Sequence, residues 1–127
     1  LSPRQAEVVR AAIDGAPTLY EVLDTDPDSK RILMRDLLSG FPDVAAHDRG
    51  LSNSKLTDSL LFGRVITVDG ISFLSGASIG FGSEDRERLL GKAAKVERLK
   101  NNTLKRRKRY ALFCEMEKYS SVAVRFE

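Results

Sequence analysis

Lys105-Arg106-Arg107-Lys108-Arg109 is the run whose residue types and spacing most directly imply a chemistry. Successive residues on a helix step by about 100°, so five in a row point around the whole circumference and no orientation buries them all. The run must therefore project from the body or lie in an exposed connection. Charges of one sign at this density repel each other, and no Asp or Glu follows until Glu115. Phosphates relieve that repulsion and release counterions on contact, with no demand for a particular base sequence. Arg adds planar, multi-donor contacts to phosphate that Lys cannot make. Lys92, Lys95, Arg98 and Lys100 lead into the run and lengthen the cationic surface, and Tyr110 follows it with a ring for base stacking. These residues together form the expected nucleic-acid contact.

The charge is unevenly distributed. The net charge is only +3, yet residues 1–91 carry −4, residues 92–109 carry +8 and residues 110–127 carry −1. A mildly acidic body with one cationic segment speaks to partners rather than to fold. The reading is non-catalytic binding of nucleic acid through phosphate contacts. RNA is slightly preferred over DNA, because no helix-turn-helix signature is present. A hairpin followed by a basic helix suits many small nucleic-acid proteins and viral accessory or structural proteins. The rival reading is an interaction or assembly domain whose basic run docks an acidic protein, or serves an import receptor as a nuclear localisation signal. A membrane partner is not expected, since the run has no adjacent large apolar face carrying Trp or Phe.

The other constellations lead away from catalysis. Asp24, Asp26 and Asp28 alternate as in a cation loop, but the Gly and Glu that an EF-hand needs at positions six and twelve are Ser29 and Arg35 here. Capping around Pro27 accounts for the cluster. Gly76, Gly80 and Gly82 precede a helix without the Lys of a phosphate loop, and Glu84 and Asp85 would repel phosphate at that helix start. His47 lies between Asp43 and Asp48 with no nucleophile beside it in sequence, and Cys114 reads as a partly buried thiol of a late helix. One Cys and one His cannot close a tetrahedral zinc site. No catalytic residue, metal or cofactor is expected.

The elements that must position the basic run follow from composition and pattern. At 127 residues, with 42% hydrophobic and 31% charged residues, the chain suits one compact α+β domain over residues 1–127. Cys114 is the sole cysteine, so no intrachain disulfide can form. No apolar stretch approaches the roughly 18 residues of a membrane span, and Leu1-Ser2-Pro3-Arg4 lacks the apolar run of a secretion signal. An intracellular location, nuclear or cytoplasmic, is the corresponding expectation.

Helices are expected through the first 40 residues. Ser2-Pro3-Arg4-Gln5 starts one, with Val9, Ala12 and Ile13 as its stripe and Gly15 as its stop. Thr18-Leu19-Tyr20-Glu21 starts a second, and a third from Asp26 or Asp28 turns Ile32, Leu33, Leu37 and Leu38 inward before Gly40. Ser54 to Phe62 gives a further short helix by the spacing of Leu56, Leu60 and Leu61. A central hairpin then joins Arg64–Val68 to Ile71–Leu74 through Asp69-Gly70, with a further strand at Ser78–Phe81. Ser83 opens a helix with Leu89, Leu90, Ala93 and Val96 on its inner stripe. Asn101-Asn102-Thr103 breaks it, and a second basic helix runs from Leu104 to about Lys118. Ser121–Phe126 alternates as a closing strand. Such a terminal strand exposes a sheet edge, which a two-fold homodimer would cover.

Overall fold

The computed structural model describes residues 2–6, 16–119 and 124–126. A short helical turn lies at residues 3–6, while the expected stripe of Val9, Ala12 and Ile13 falls outside the described residues. Beyond it, the helices expected between Thr18 and Gly40 are replaced by strands. Along β2 (Arg31–Asp36), Ile32, Met34 and Asp36 are buried while Arg31, Leu33 and Arg35 are exposed. That period of two belongs to a strand with one wet face. β1 (Thr18–Asp26) pairs with it antiparallel, and β3 (Val44–His47) pairs antiparallel on its other side.

The residues read as helix caps serve turns and a buried contact instead. Thr18 Oγ1 donates to Asp36 Oδ1 at 2.8 Å. Asp26 accepts from the Asp28 amide at 3.1 Å and from Ser29 Oγ at 2.8 Å, shaping the tight β1–β2 connection. These Ser29 contacts hold the Asp26 carboxyl below its ordinary range. Lys30 completes the turn in the left-handed region at φ 57°.

β3 leads into one turn of helix, α1 (Arg49–Ser52), capped by Asp48, whose carboxylate accepts from the Leu51 amide. The helix expected from Ser54 to Phe62 gives way to β4 (Leu60–Val68). Leu61 faces one core while Leu60 and Phe62 face another, which is strand alternation with both faces covered. β5 (Ile71–Phe81) returns antiparallel through Asp69 at φ 53° and Gly70 at φ 77°, the paired positive angles that this dipeptide implies. The register shifts between Phe62 and Arg64. A Cβ on Gly63 at this irregularity would stand 2.9 Å from Ser78 Oγ, so a larger residue would have to displace that hydroxyl.

The strands close on themselves. β1 pairs with β2 and β4, β4 pairs with β5, and β3 meets β5 in parallel at Ala46–Ser72 and His47–Phe73. The resulting ring, β1-β2-β3-β5-β4-β1, has the connectivity of an OB-type Greek-key barrel. Tyr20, Val22, Ile32, Met34, Ala46 and Leu61 fill its interior, joined by Leu51 of α1. β5 is long enough to serve twice. Its first half closes the barrel against β3, and Ser78–Gly80 pairs with β6 (Val124–Phe126). The closing strand is therefore present at Val124–Phe126, and residues 121–123 of the expected strand lie outside the described residues.

A second core forms on the outside of the barrel. Leu19, Leu60, Phe62, Ile79 and Phe81 are covered by Leu89 and Ala93 of α2 (Arg86–Glu97) and by Phe113 and Met116 of α3 (Asn102–Tyr119). The Phe113 ring stacks on Phe62 with centroids 4.4 Å apart and meets Phe81 edge-on at 6.2 Å. Arg86, at the start of α2, is ion-paired with Glu21 of β1. Cys114 is half-buried against this core. Among the described residues, no helix is long and apolar enough to cross a membrane.

The hairpin geometry makes a specific prediction. Nothing lies within 4 Å of a Cβ placed on Gly70, so Gly70→Val introduces backbone strain without a clash. At a positive φ that strain should cost about 1–2 kcal/mol of stability, read as a lower urea midpoint. An unchanged midpoint would show that the turn relaxes freely.

Candidate nucleic-acid interface

The break between α2 and α3 is a helix cap. Asn101 Oδ1 accepts from the Leu104 amide at 3.0 Å, and its carbonyl accepts from Lys105 N–H at 2.9 Å. This cap sets the start of α3. Phe113 and Met116 face the barrel, and of the run only Arg109 points between their directions around the helix. Arg109 stands four residues before Phe113 and seven before Met116, so it is drawn inward with them.

The basic run therefore divides. Arg106, Arg107 and Lys108 are exposed, Lys105 is half-buried, and Arg109 is only 4% exposed. The structure departs here from the expectation that Arg109 is a phosphate ligand. Its Nε and Nη2 donate to the two carboxylate oxygens of Glu97 at 2.6 and 2.5 Å, a bidentate pair across the α2–α3 break. Nη1 donates to the Pro17 carbonyl at 3.2 Å, and Nη2 also reaches Ser39 Oγ at 3.1 Å. One guanidinium thus joins α2, α3, the entry to β1 and the β2–β3 loop.

A second buried polar group lies beside it. Asp36 Oδ1 accepts from Thr18 Oγ1 and from the amides of Leu38 and Ser39 at 3.0 and 2.9 Å, so it pins the start of the same loop. Tyr20 reaches this region from the barrel interior. Burial pushes its phenol up to about 12, the Asp36 carboxylate adds to the rise, and the Arg109 guanidinium opposes it.

The remaining expected contacts lie on the surface. Lys92 and Lys95 are exposed on α2, and Arg98 and Lys100 are exposed in the connection to α3. Tyr110, directly after the run, is 58% exposed. Among the described residues, none of Lys92, Lys95, Arg98, Lys100, Lys105, Arg107 or Lys108 takes part in a salt bridge. The expected cations therefore lie along α2, the connection and the first turns of α3, at the surface or its edge, with Arg109 withdrawn from them.

The barrel wall formed by β2 and β3 carries a second basic surface. Arg31 and Arg35 flank the exposed Leu33 there. Arg31 Nε donates to His47 Nε2 at 3.3 Å and Arg35 pairs with Asp43, so these cations are already engaged within the wall. The strand alternation of Arg31, Leu33 and Arg35 was the sequence signal for this face. The Asp24, Asp26 and Asp28 cluster lies along the end of β1 and its turn. Among the described residues, no three His, Cys, Asp or Glu side chains gather as metal ligands.

The family described as "Family of unknown function (DUF7986)" matches residues 1–127. No curated protein and no solved structure matches the chain.

Two predictions follow from the buried network. Arg109→Ala leaves Glu97 and the Pro17 carbonyl without their donor and should cost about 3 kcal/mol, measured by chemical denaturation. Arg109→Lys should recover only part of that loss, because an ammonium cannot form the bidentate pair. For Tyr20, the folded state favours the neutral phenol over its ordinary value of 10.0. Its contribution to stability is intact below pH 10 and declines as pH rises toward 12, where the unfolded chain ionises first. Tyr20→Phe should remove that part of the alkaline loss, read as the difference between the two urea-midpoint profiles.

Proposed function

The chain belongs to this family of unknown function, and we propose that it binds nucleic acid without catalysis, through phosphate contacts at the α2–α3 corner. The observation that carries the proposal is the exposed turn Arg106–Lys108, with Lys105 at its edge, on a helix whose later turns are packed into the outer core. A rigid helix presents these cations at fixed backbone spacing, so binding orders only their side chains and not the segment that carries them. Lys92, Lys95, Arg98 and Lys100 extend the surface along a polyanion, and Tyr110 offers a ring beside it. Arg109 is assigned to the architecture of the site and makes no phosphate contact. RNA is favoured slightly over DNA. The OB-type barrel adds no functional weight by itself, because fold alone does not decide function.

An acidic protein surface or an import receptor is the competing partner for the same run. A second copy of the chain pairing along β6 would place two basic corners on one particle and raise avidity for a long strand.

The test replaces Lys105, Arg106, Arg107 and Lys108 with Gln and retains Arg109. Fluorescence anisotropy with labelled single- and double-stranded RNA and DNA should show binding by the natural chain and its loss in the variant, with unchanged circular dichroism. If those four side chains each meet one phosphate, log affinity should fall against log salt with a slope of about −2.8 on a single strand and −3.6 on duplex DNA. A flat salt response, or full binding by the folded variant, would overturn the reading and leave the acidic protein partner.

A further inference from the structure

A cavity of about 380 Å³ opens where the β2–β3 loop faces the first turns of α3. The volume lies within the range of small-ligand sites, which is about 300–1,000 Å³. Its walls combine three kinds of group. Leu38 and Phe41 of the loop supply apolar surface, Glu97 and the buried Arg109 contribute their ion pair, and Lys105 and Arg106 line it from α3. Three cations against one carboxylate leave the lining positive.

Phe41 is the feature that the fold does not account for. Its ring is 71% exposed, and it contributes to neither core. The loop that carries it is nevertheless fixed. Asp36 holds the amides of Leu38 and Ser39, Arg109 holds the Ser39 hydroxyl, and Gly40 turns the chain at φ 72°. An aromatic face is thus held at the mouth of a positively lined cavity by the same guanidinium that helps to line it.

We propose that this cavity binds a nucleotide, with the base stacked on Phe41 and the phosphate held by Lys105 and Arg106. A flat π-face suits any base, and two cations in the same lining suit the phosphate of the same ligand. The nucleotide has two possible sources with one chemistry, a free mononucleotide or the phosphorylated end of a strand. The site is separate from the exposed side chains of Arg107 and Lys108, so its test is distinct from that of the strand-binding surface.

Isothermal titration of the full chain with 5′-AMP should give saturable binding, with adenosine and inorganic phosphate each at least about tenfold weaker. Phe41→Ala and Lys105→Ala should each weaken AMP by about tenfold or more. Both positions lie outside the two cores, so circular dichroism should be unchanged. A double variant, Arg107→Gln with Lys108→Gln, should leave AMP binding intact while reducing oligonucleotide binding. Displacement of AMP by a 5′-phosphorylated oligonucleotide, but not by its 5′-hydroxyl counterpart, would assign the cavity to strand ends. Displacement by neither would assign it to the free nucleotide. No saturable AMP binding, phosphate binding as tightly as AMP, or an unaltered Phe41→Ala variant would each overturn the proposal.

Discussion

The buried guanidinium of Arg109 is the interaction on which the arrangement of this molecule depends. A charge removed from water needs an opposite charge and further hydrogen-bond partners, or its burial is strongly unfavourable. Glu97 supplies the charge, and Pro17 and Ser39 supply neutral acceptors. Those partners come from three separate parts of the chain, so the requirement can be met only when α2, α3, the start of β1 and the β2–β3 loop converge. A chain assembled without that convergence would leave a buried charge without its partners. The ion pair also withdraws one cation from a run of five and fixes the direction in which the other four are displayed.

Around that point, the protein solves a packing problem with two cores rather than one. The barrel encloses a small interior, and β1 and β4 alternate between it and the outer layer. Tyr20 and Leu61 face inward, while Leu19, Leu60 and Phe62 face the helices. Strands covered on both faces lose the alternation of polar and apolar residues that marks a half-exposed strand. The aromatic contact of Phe113 with Phe62 and Phe81 locks α3 to this outer layer over its second half. Its first half turns Arg109 inward and leaves Arg106, Arg107 and Lys108 facing water. One helix thereby serves as core at one end and as charged surface at the other.

The legibility of the sequence follows the same division. Asp69-Gly70 specified its turn locally, because positive φ at both positions is a property of those residues themselves. The break at Asn101 and the inner stripe of Leu89 and Ala93 were equally legible, since capping and helical period are short-range signals. The residues from Thr18 to Phe62 misled for an equally physical reason. Thr18, Asp26 and Asp28 are good cap residues, and Leu60-Leu61-Phe62 is a continuous apolar run that a doubly covered strand and a helix both produce. Their strand state is decided by partners far away in sequence, as when Thr18 meets Asp36 and Leu61 faces Gly80.

For the candidate site, the sequence by itself determined that a concentrated positive charge exists and that it could not all be buried. Both statements follow from residue identity and the angular step of a helix. Which cation turns inward was carried partly by spacing, since Arg109 precedes Phe113 and Met116 on one stripe, but that stripe had no known direction until a core lay beneath it. The tertiary structure alone decided that Glu97, Pro17 and Ser39 meet Arg109, that the barrel closes through β3 and β5, and that Phe41 and Lys105 line one cavity. Each of these joins residues separated by many positions. Local propensity carries no information about such meetings, because they are fixed only when the strands have registered and two cores have closed.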